Sequence, residues 1–177
     1  MCPTNFNPSS KAFIFKSINF SFTFFLIIYS QLICSKFIDL TKEPNNITFH
    51  YEACKNKEEL LKFVNLIKEN NCKVGVSIKP NTEAEKIYDI LPYIHTVLVM
   101  TVEPGQGGQK LIKETIEKIK KLKKYIQENN LDTEIEADGG INLENVDELK
   151  NAGCDIIVAG TSIINSKDFK DTIRKMK

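Results

Sequence analysis

Three glycine-bearing loops hold the residue types with chemical potential in this chain: Glu103-Pro104-Gly105-Gln106-Gly107-Gly108-Gln109, Asp138-Gly139-Gly140 and Gly160-Thr161-Ser162. Each lies at the end of a run that reads as a strand, respectively Val97 to Val102, Thr133 to Asp138 and Asp155 to Ala159. Glycine lets backbone N–H groups approach a ligand closely and adopt φ > 0, so a glycine-rich strand end suits an anion. The first loop matches neither a Walker A loop nor a dinucleotide fingerprint, and alone it reads as readily as a plain turn. Asp138 has the same ambiguity, because Asp before Gly-Gly is an ordinary turn residue.

The elements that must position these loops form a regular alternation from Ile47 onward. Ile47 to Glu52 is strand-like, and the following KNKEELLKFVNLIKEN stretch has the apolar spacing of an amphipathic helix. Lys73 to Ile78 is the second strand; Thr82, with Glu85 three residues on, predicts a capping box for a short helix to Ile90. After the third strand, Leu111 to Gln127 places Ile112, Ile116, Ile119, Leu122 and Ile126 on one helical face, leaving Lys118, Lys120, Lys121, Lys123 and Lys124 as a solvated face. The remaining helices fall at Leu143 to Ala152 and Ser166 to Met176. Five strands separated by helices predict a parallel sheet with right-handed crossovers. In a (β/α) barrel the carboxyl ends of the strands form the active-site rim, and the loops after the last two strands commonly hold a phosphate. Here those are the loops at Asp138 and Gly160, where the dipole of the following helix also favours an anion. A sugar phosphate is the natural ligand.

Composition excludes several other functions. With 24 basic and 23 acidic residues in a chain of 177, there is no basic excess to hold a nucleic acid. Cys2, Cys34, Cys54, Cys72 and Cys154 are odd in number and scattered, without a C-x-x-C pair, which favours a reducing, cytoplasmic location over a disulfide framework or zinc ribbon. The chain divides at residues 1–46 and 47–177, because eight of the eleven Phe residues fall within the first 37 positions. Phe20 to Tyr29 is too short for a transmembrane helix of ~20 residues. Flanked by Lys11 and Lys16, it is closer to a signal-peptide core, which leaves a secretory or organellar reading beside the favoured one of a gene-model artefact.

The residues resemble the ribulose-phosphate 3-epimerase family from Ile47 to about Lys177. The motifs are ITFHYEA, KVGVSIKPNT, LVMTVEPGQGGQKLI, IEADGGIN and AGCDIIVAGTSII, in the family's order. Gln106 stands where the family usually has Phe, and Thr161 where Ser is usual. The resemblance implies a ribulose-phosphate-binding TIM-type (β/α)8 barrel that interconverts D-ribulose 5-phosphate and D-xylulose 5-phosphate in the pentose phosphate pathway. It implies a divalent metal (Fe, Zn, Mn or Co), a pentose 5-phosphate as ligand, and a homo-oligomer as partner state. Removing the C3 proton generates an enediolate, which requires charge stabilisation, a base on one face and an acid on the other. By resemblance Asp138 belongs to the acid/base pair and ligates the metal. Gly105, Gln106, Gly107, Gly108, Gly139, Gly140, Gly160 and Thr161 line the substrate and its phosphate, and Met100 packs near the metal. His50 falls at a family position that is not a metal ligand and reads as a rim or core residue; His95, at the far end of its strand, reads as structural or exposed. Glu103 is assigned to the loop and Glu52 to the rim.

Against the family pattern, about five of eight strands have counterparts. The early Ser, the His-x-Asp of the second strand and the His of the third have none. The expectation is an incomplete barrel with two open sheet edges, weak or absent metal binding and impaired turnover. The alternative is a non-catalytic sugar-phosphate-binding remnant, or a partner subunit of an intact epimerase. A different phosphate-binding barrel enzyme is disfavoured by the EPGQGGQ and EADGGIN pair.

Overall fold

The computed structural model describes residues 46–105 and 107–177. The Phe-rich segment and Gln106 lie outside the described residues, and with them the signal-peptide and gene-model readings and one of the expected substrate contacts.

Five parallel strands follow one another across a single sheet in chain order: β1 (Asn46–His50), β2 (Lys73–Ile78), β3 (Thr96–Met100), β4 (Glu134–Asp138) and β5 (Ile156–Val158). Every pairing is parallel, and the register carries His50 beside Ser77, Ser77 beside Leu98, Leu98 beside Glu136, and Met100 beside Asp138 beside Val158. Sequential order without a reversal is the arrangement of a sheet that wraps in one direction, as in a barrel.

Helices α1 (Lys57–Glu69), α2 (Glu114–Glu128) and α3 (Val146–Asn151) fill the crossovers after β1, β3 and β4, and α4 (Thr161–Ile164) and α5 (Phe169–Met176) follow β5. α1 starts where the Asn56 side chain accepts the Glu59 N–H at 2.9 Å, satisfying an orphan donor of the first turn. Just past its end, Asn71, φ 57°, lets the Cys72 N–H return to the Ile67 carbonyl; Asn130, φ 51°, closes α2 in the same way through Leu131 and Ile126.

One sheet face is apolar and packs on the helices. Val74, Val76, Ile78, Val97, Val99, Ile135 and Ala137 are buried together with Leu60, Val64 and Ile67 of α1, Ile116, Ile119, Leu122 and Ile126 of α2, and Val146 and Leu149 of α3. Each such large side chain contributes roughly 1.5–3 kcal/mol relative to exposure. The other face alternates with it, as the two-residue period requires. It presents Asn46, Thr48, His50, Leu98, Met100, Glu136, Asp138 and Val158 to a common cleft.

Three local expectations change. The segment after β2 forms a 3-10 turn, Ala84–Ile87, without a side-chain cap, because the Thr82 hydroxyl donates to the Glu52 carboxylate instead. The lysine face of α2 is not uniformly solvated. Lys118 is buried and donates to the Lys79 and Pro80 carbonyls at 2.8 Å each, while Lys123 pairs with Asp155 at 3.0 Å. Desolvation lowers the Lys118 pKa, against the opposing pull of Glu83, Glu52 and Glu103. The third change is α4, which begins at Thr161, ahead of the helix expected from Ser166.

Candidate active site at the carboxyl ends of the strands

Asp138 closes β4, half-buried, and its backbone carbonyl accepts the Thr101 N–H at 2.9 Å. The turn that follows is glycine for steric reasons. Gly139 has φ 128°, and a Cβ there would lie 2.4 Å from Val102; Gly140 has φ 65°, and a Cβ there would meet the Leu111 nitrogen at 2.4 Å. The chain beyond the long loop therefore passes directly against the β4 turn. Side chains lock the contact: Thr101 Oγ1 donates to the Gly139 carbonyl at 2.6 Å, and Asn145 Nδ2 donates to the Gly140 carbonyl at 3.0 Å.

The other glycines have a different character. At Gly107, Gly108 and Gly160 an added Cβ would meet nothing within 4 Å, so packing does not demand glycine there. These positions border open space. Gly160 occupies the N-cap position of α4, and the Ser162 hydroxyl donates to the Ile141 carbonyl at 2.6 Å.

The loops converge on one cleft of about 1020 Å³. Of the expected site residues, Met100, Glu103, Gly105, Gly107, Gly108, Asp138, Gly139, Gly140, Gly160 and Thr161 line it together, and so does His50. His95 does not; it precedes β3, is exposed, and accepts the Val74 N–H through Nδ1 at 3.3 Å. Partial desolvation, then the positive charges of Lys73 and Lys68, lowers its pKa. Glu136, Asn142 and Asn145 also line the cleft and were not singled out from sequence. For Glu136 a signal existed, since the alternation in EIEAD places it on the same face as Asp138.

Glu52 sits in the 3-10 turn Tyr51–Ala53 immediately after β1. Its Oε1 accepts the Lys79 N–H at 2.9 Å and the Thr82 hydroxyl, and its Oε2 lies 3.5 Å from His50 Nδ1. Burial alone would raise the carboxyl, but the hydrogen bonds from His50, Lys79 and Thr82 overcome it and bring the pKa down to about 2.

Among the described residues, no group of three His, Cys, Asp or Glu side chains could hold a metal ion. Asp138 is the candidate ligand, and the described residues do not complete the set that the resemblance implies around it.

The fold and the convergence of carboxylate and glycine loops at the strand ends define an α/β chain of the barrel type with a strand-end cleft. Structural comparison gives the same class. A 3-hexulose-6-phosphate synthase aligns with a TM-score of 0.54 at 16% identity, covering 74% of this chain and 59% of that one. A tryptophan synthase α-subunit from Pyrococcus furiosus aligns with a TM-score of 0.53 at 17% identity, covering 75% and 52%. At such identities the likeness shows the shared fold.

Sequence comparison narrows the class: the chain belongs to the ribulose-phosphate 3-epimerase family, whose profile matches residues 12–164. The matched span thus begins ahead of Ile47. Ribulose-phosphate 3-epimerases from Eremothecium gossypii and Escherichia coli K12 are 39% and 37% identical, over 80% and 74% of this chain and 57% of each relative. The enzyme of that name from Methanocaldococcus jannaschii is 40% identical over 80% of this chain and 59% of its own length. The chain spans little more than half the length of these relatives.

Proposed function

We propose that the cleft is the phosphate-binding and proton-transfer part of a ribulose-phosphate 3-epimerase site, acting on D-ribulose 5-phosphate and D-xylulose 5-phosphate. The observation that carries the reading is the meeting, in one cleft, of the Asp138 carboxylate with two kinds of glycine loop. One is packed so tightly that only glycine fits, and the other opens onto space. Backbone N–H groups at Gly140, Gly160 and Thr161 receive the phosphate, which fixes the register of the sugar chain. The Asp138 carboxylate takes the C3 proton from one face, and the electron pair delocalises into the neighbouring carbonyl to give an enediolate. Such an enediolate is stabilised by charge or donors oriented toward its oxygen before charge develops.

Inversion at C3 needs a second proton donor on the opposite face, and a carbon this weakly acidic needs more positive charge than N–H dipoles supply. The described residues do not by themselves form a metal ligand set. With Asp138 alone, a proton removed and returned on one face exchanges with solvent and retains configuration.

The test is uptake of solvent deuterium at C3 of D-ribulose 5-phosphate, with a divalent metal salt supplied, by the full chain and by Asp138→Asn. Exchange lost in Asp138→Asn supports the reading, and equal exchange in the two overturns it. A second reading, a sugar-phosphate-binding chain without turnover, is favoured by the same lack of a three-ligand group among the described residues. Sugar binding without exchange in the unmodified chain would select it.

A further inference from the structure

His50 ends β1 with its ring against the cleft and is 5% exposed. Its Nδ1 has two neighbours, Ser77 Oγ at 3.1 Å and Glu52 Oε2 at 3.5 Å. The Ser77 hydroxyl would donate to an unprotonated Nδ1 or accept from a protonated one, whereas the Glu52 carboxylate only accepts. Glu52 cannot turn away, since its other oxygen is held by the Lys79 N–H and the Thr82 hydroxyl from the chain after β2. A charge-assisted hydrogen bond is roughly twice as strong as a neutral one, so the carboxylate decides the contest and draws the proton to Nδ1. Ser77 Oγ then accepts from the same N–H.

The consequence lies at the other ring nitrogen. A neutral imidazole protonated at Nδ1 has a lone pair on Nε2. No hydrogen bond among the described residues engages Nε2, and no buried side-chain nitrogen or oxygen among them is left without a partner, so Nε2 reaches the open cleft. By register His50 lies level with Glu136, three strands away in the same sheet, and both line the cleft.

We propose that His50 orients the hydroxyl groups of a bound sugar phosphate by accepting a hydrogen bond at Nε2, and that Glu52 is the positioning residue that sets its tautomer. The inference rests on the sugar-phosphate reading of the cleft and adds a polar anchor on the β1 side, opposite the phosphate loops. It also gives the cleft a means of telling a phosphorylated polyol from a bare phosphate. The glycine loops receive either; His50 engages only a ligand that carries hydroxyls beyond the phosphate.

The test uses the full chain labelled with ¹⁵N at pH 8, where an ordinary imidazole is neutral, and reads imidazole two-bond correlations beside backbone amides. In the free chain His50 is expected as the Nδ1–H tautomer, and Glu52→Gln is expected to move it toward Nε2–H. Finding Nε2–H in the unmodified chain overturns the proposal whether or not the variant folds. Adding D-xylulose 5-phosphate is expected to shift both the Nε2 resonance and the amides of Gly140, Gly160 and Thr161, whereas inorganic phosphate shifts the amides alone. If the pentose phosphate shifts the amides and leaves Nε2 in place, the role of His50 falls and the sugar-phosphate reading stands. If it shifts neither, both fall.

Discussion

The Ser162 hydroxyl donates to the Ile141 carbonyl at 2.6 Å, tying the loop after β5 to the loop after β4. The two loops proposed to share a phosphate are thus held at a fixed separation. Replacing Ser162 by Ala removes the donor, at a cost of about 1 kcal/mol, and is expected to weaken pentose phosphate binding roughly fivefold. Calorimetric titration of both chains checks this; unchanged affinity would mean that the loops do not act as one cradle.

The two kinds of glycine predict opposite phenotypes. Gly140→Ala forces a Cβ against the Leu111 backbone at φ 65° and is expected to cost about 2 kcal/mol or more, lowering Tm by roughly 4–8 °C. Gly160→Ala meets open space and is expected to leave Tm unchanged while crowding the ligand and weakening its binding. Thermal melts and ligand titration of the pair separate the effects.

Glu52 predicts a pH dependence. Its pKa is lowered from 4.5 to about 2, so the folded state favours its ionised form. The stabilisation is fully present above about pH 4.5 and is lost as pH falls through the folded value near 2. Urea unfolding of the unmodified chain and of Glu52→Gln from pH 6 to pH 2 is expected to show a stability gap that narrows over that interval. A constant gap would mean that ionisation of Glu52 is not linked to folding.

Cys154 is 8% exposed and its Sγ donates to the Ile135 and Ile156 carbonyls. Burial pushes its thiol up to about 12, and burial with the nearby Glu59 pushes Cys54 up to about 11. Reactivity follows the thiolate, so neither is expected to alkylate at pH 8 in the folded chain. Peptide mapping after brief alkylation, with and without urea, reads this directly; rapid labelling of folded Cys154 would contradict its packing.

What the sequence made legible were features with a local cause. Lys73–Ile78 appears as a strand with the limits its apolar run suggested, and the three glycine loops meet at one end of the sheet. What it concealed depends on partners distant along the chain. Thr82 and Glu85 have the spacing of a capping box, yet Thr82 is taken by Glu52, 30 residues away. Lys118 looks like one lysine among five on a solvated helix face, but the turn after β2 places two carbonyls within its reach. His50 read as a rim or core histidine because a single strand position says nothing of Ser77, 27 residues on, or of the direction in which the ring is locked. The Ser162 tie was equally hidden, because the carbonyl it serves, that of Ile141, lies 21 residues earlier.

Where a pentose phosphate sits relative to Asp138 is measured directly by a crystal structure of the chain soaked with D-xylulose 5-phosphate. The phosphate is predicted within hydrogen-bonding reach of the Gly140, Gly160 and Thr161 N–H groups, with C3 about 3–3.5 Å from the Asp138 carboxylate. A sugar phosphate bound away from those loops, or one whose C3 points away from Asp138, would contradict it.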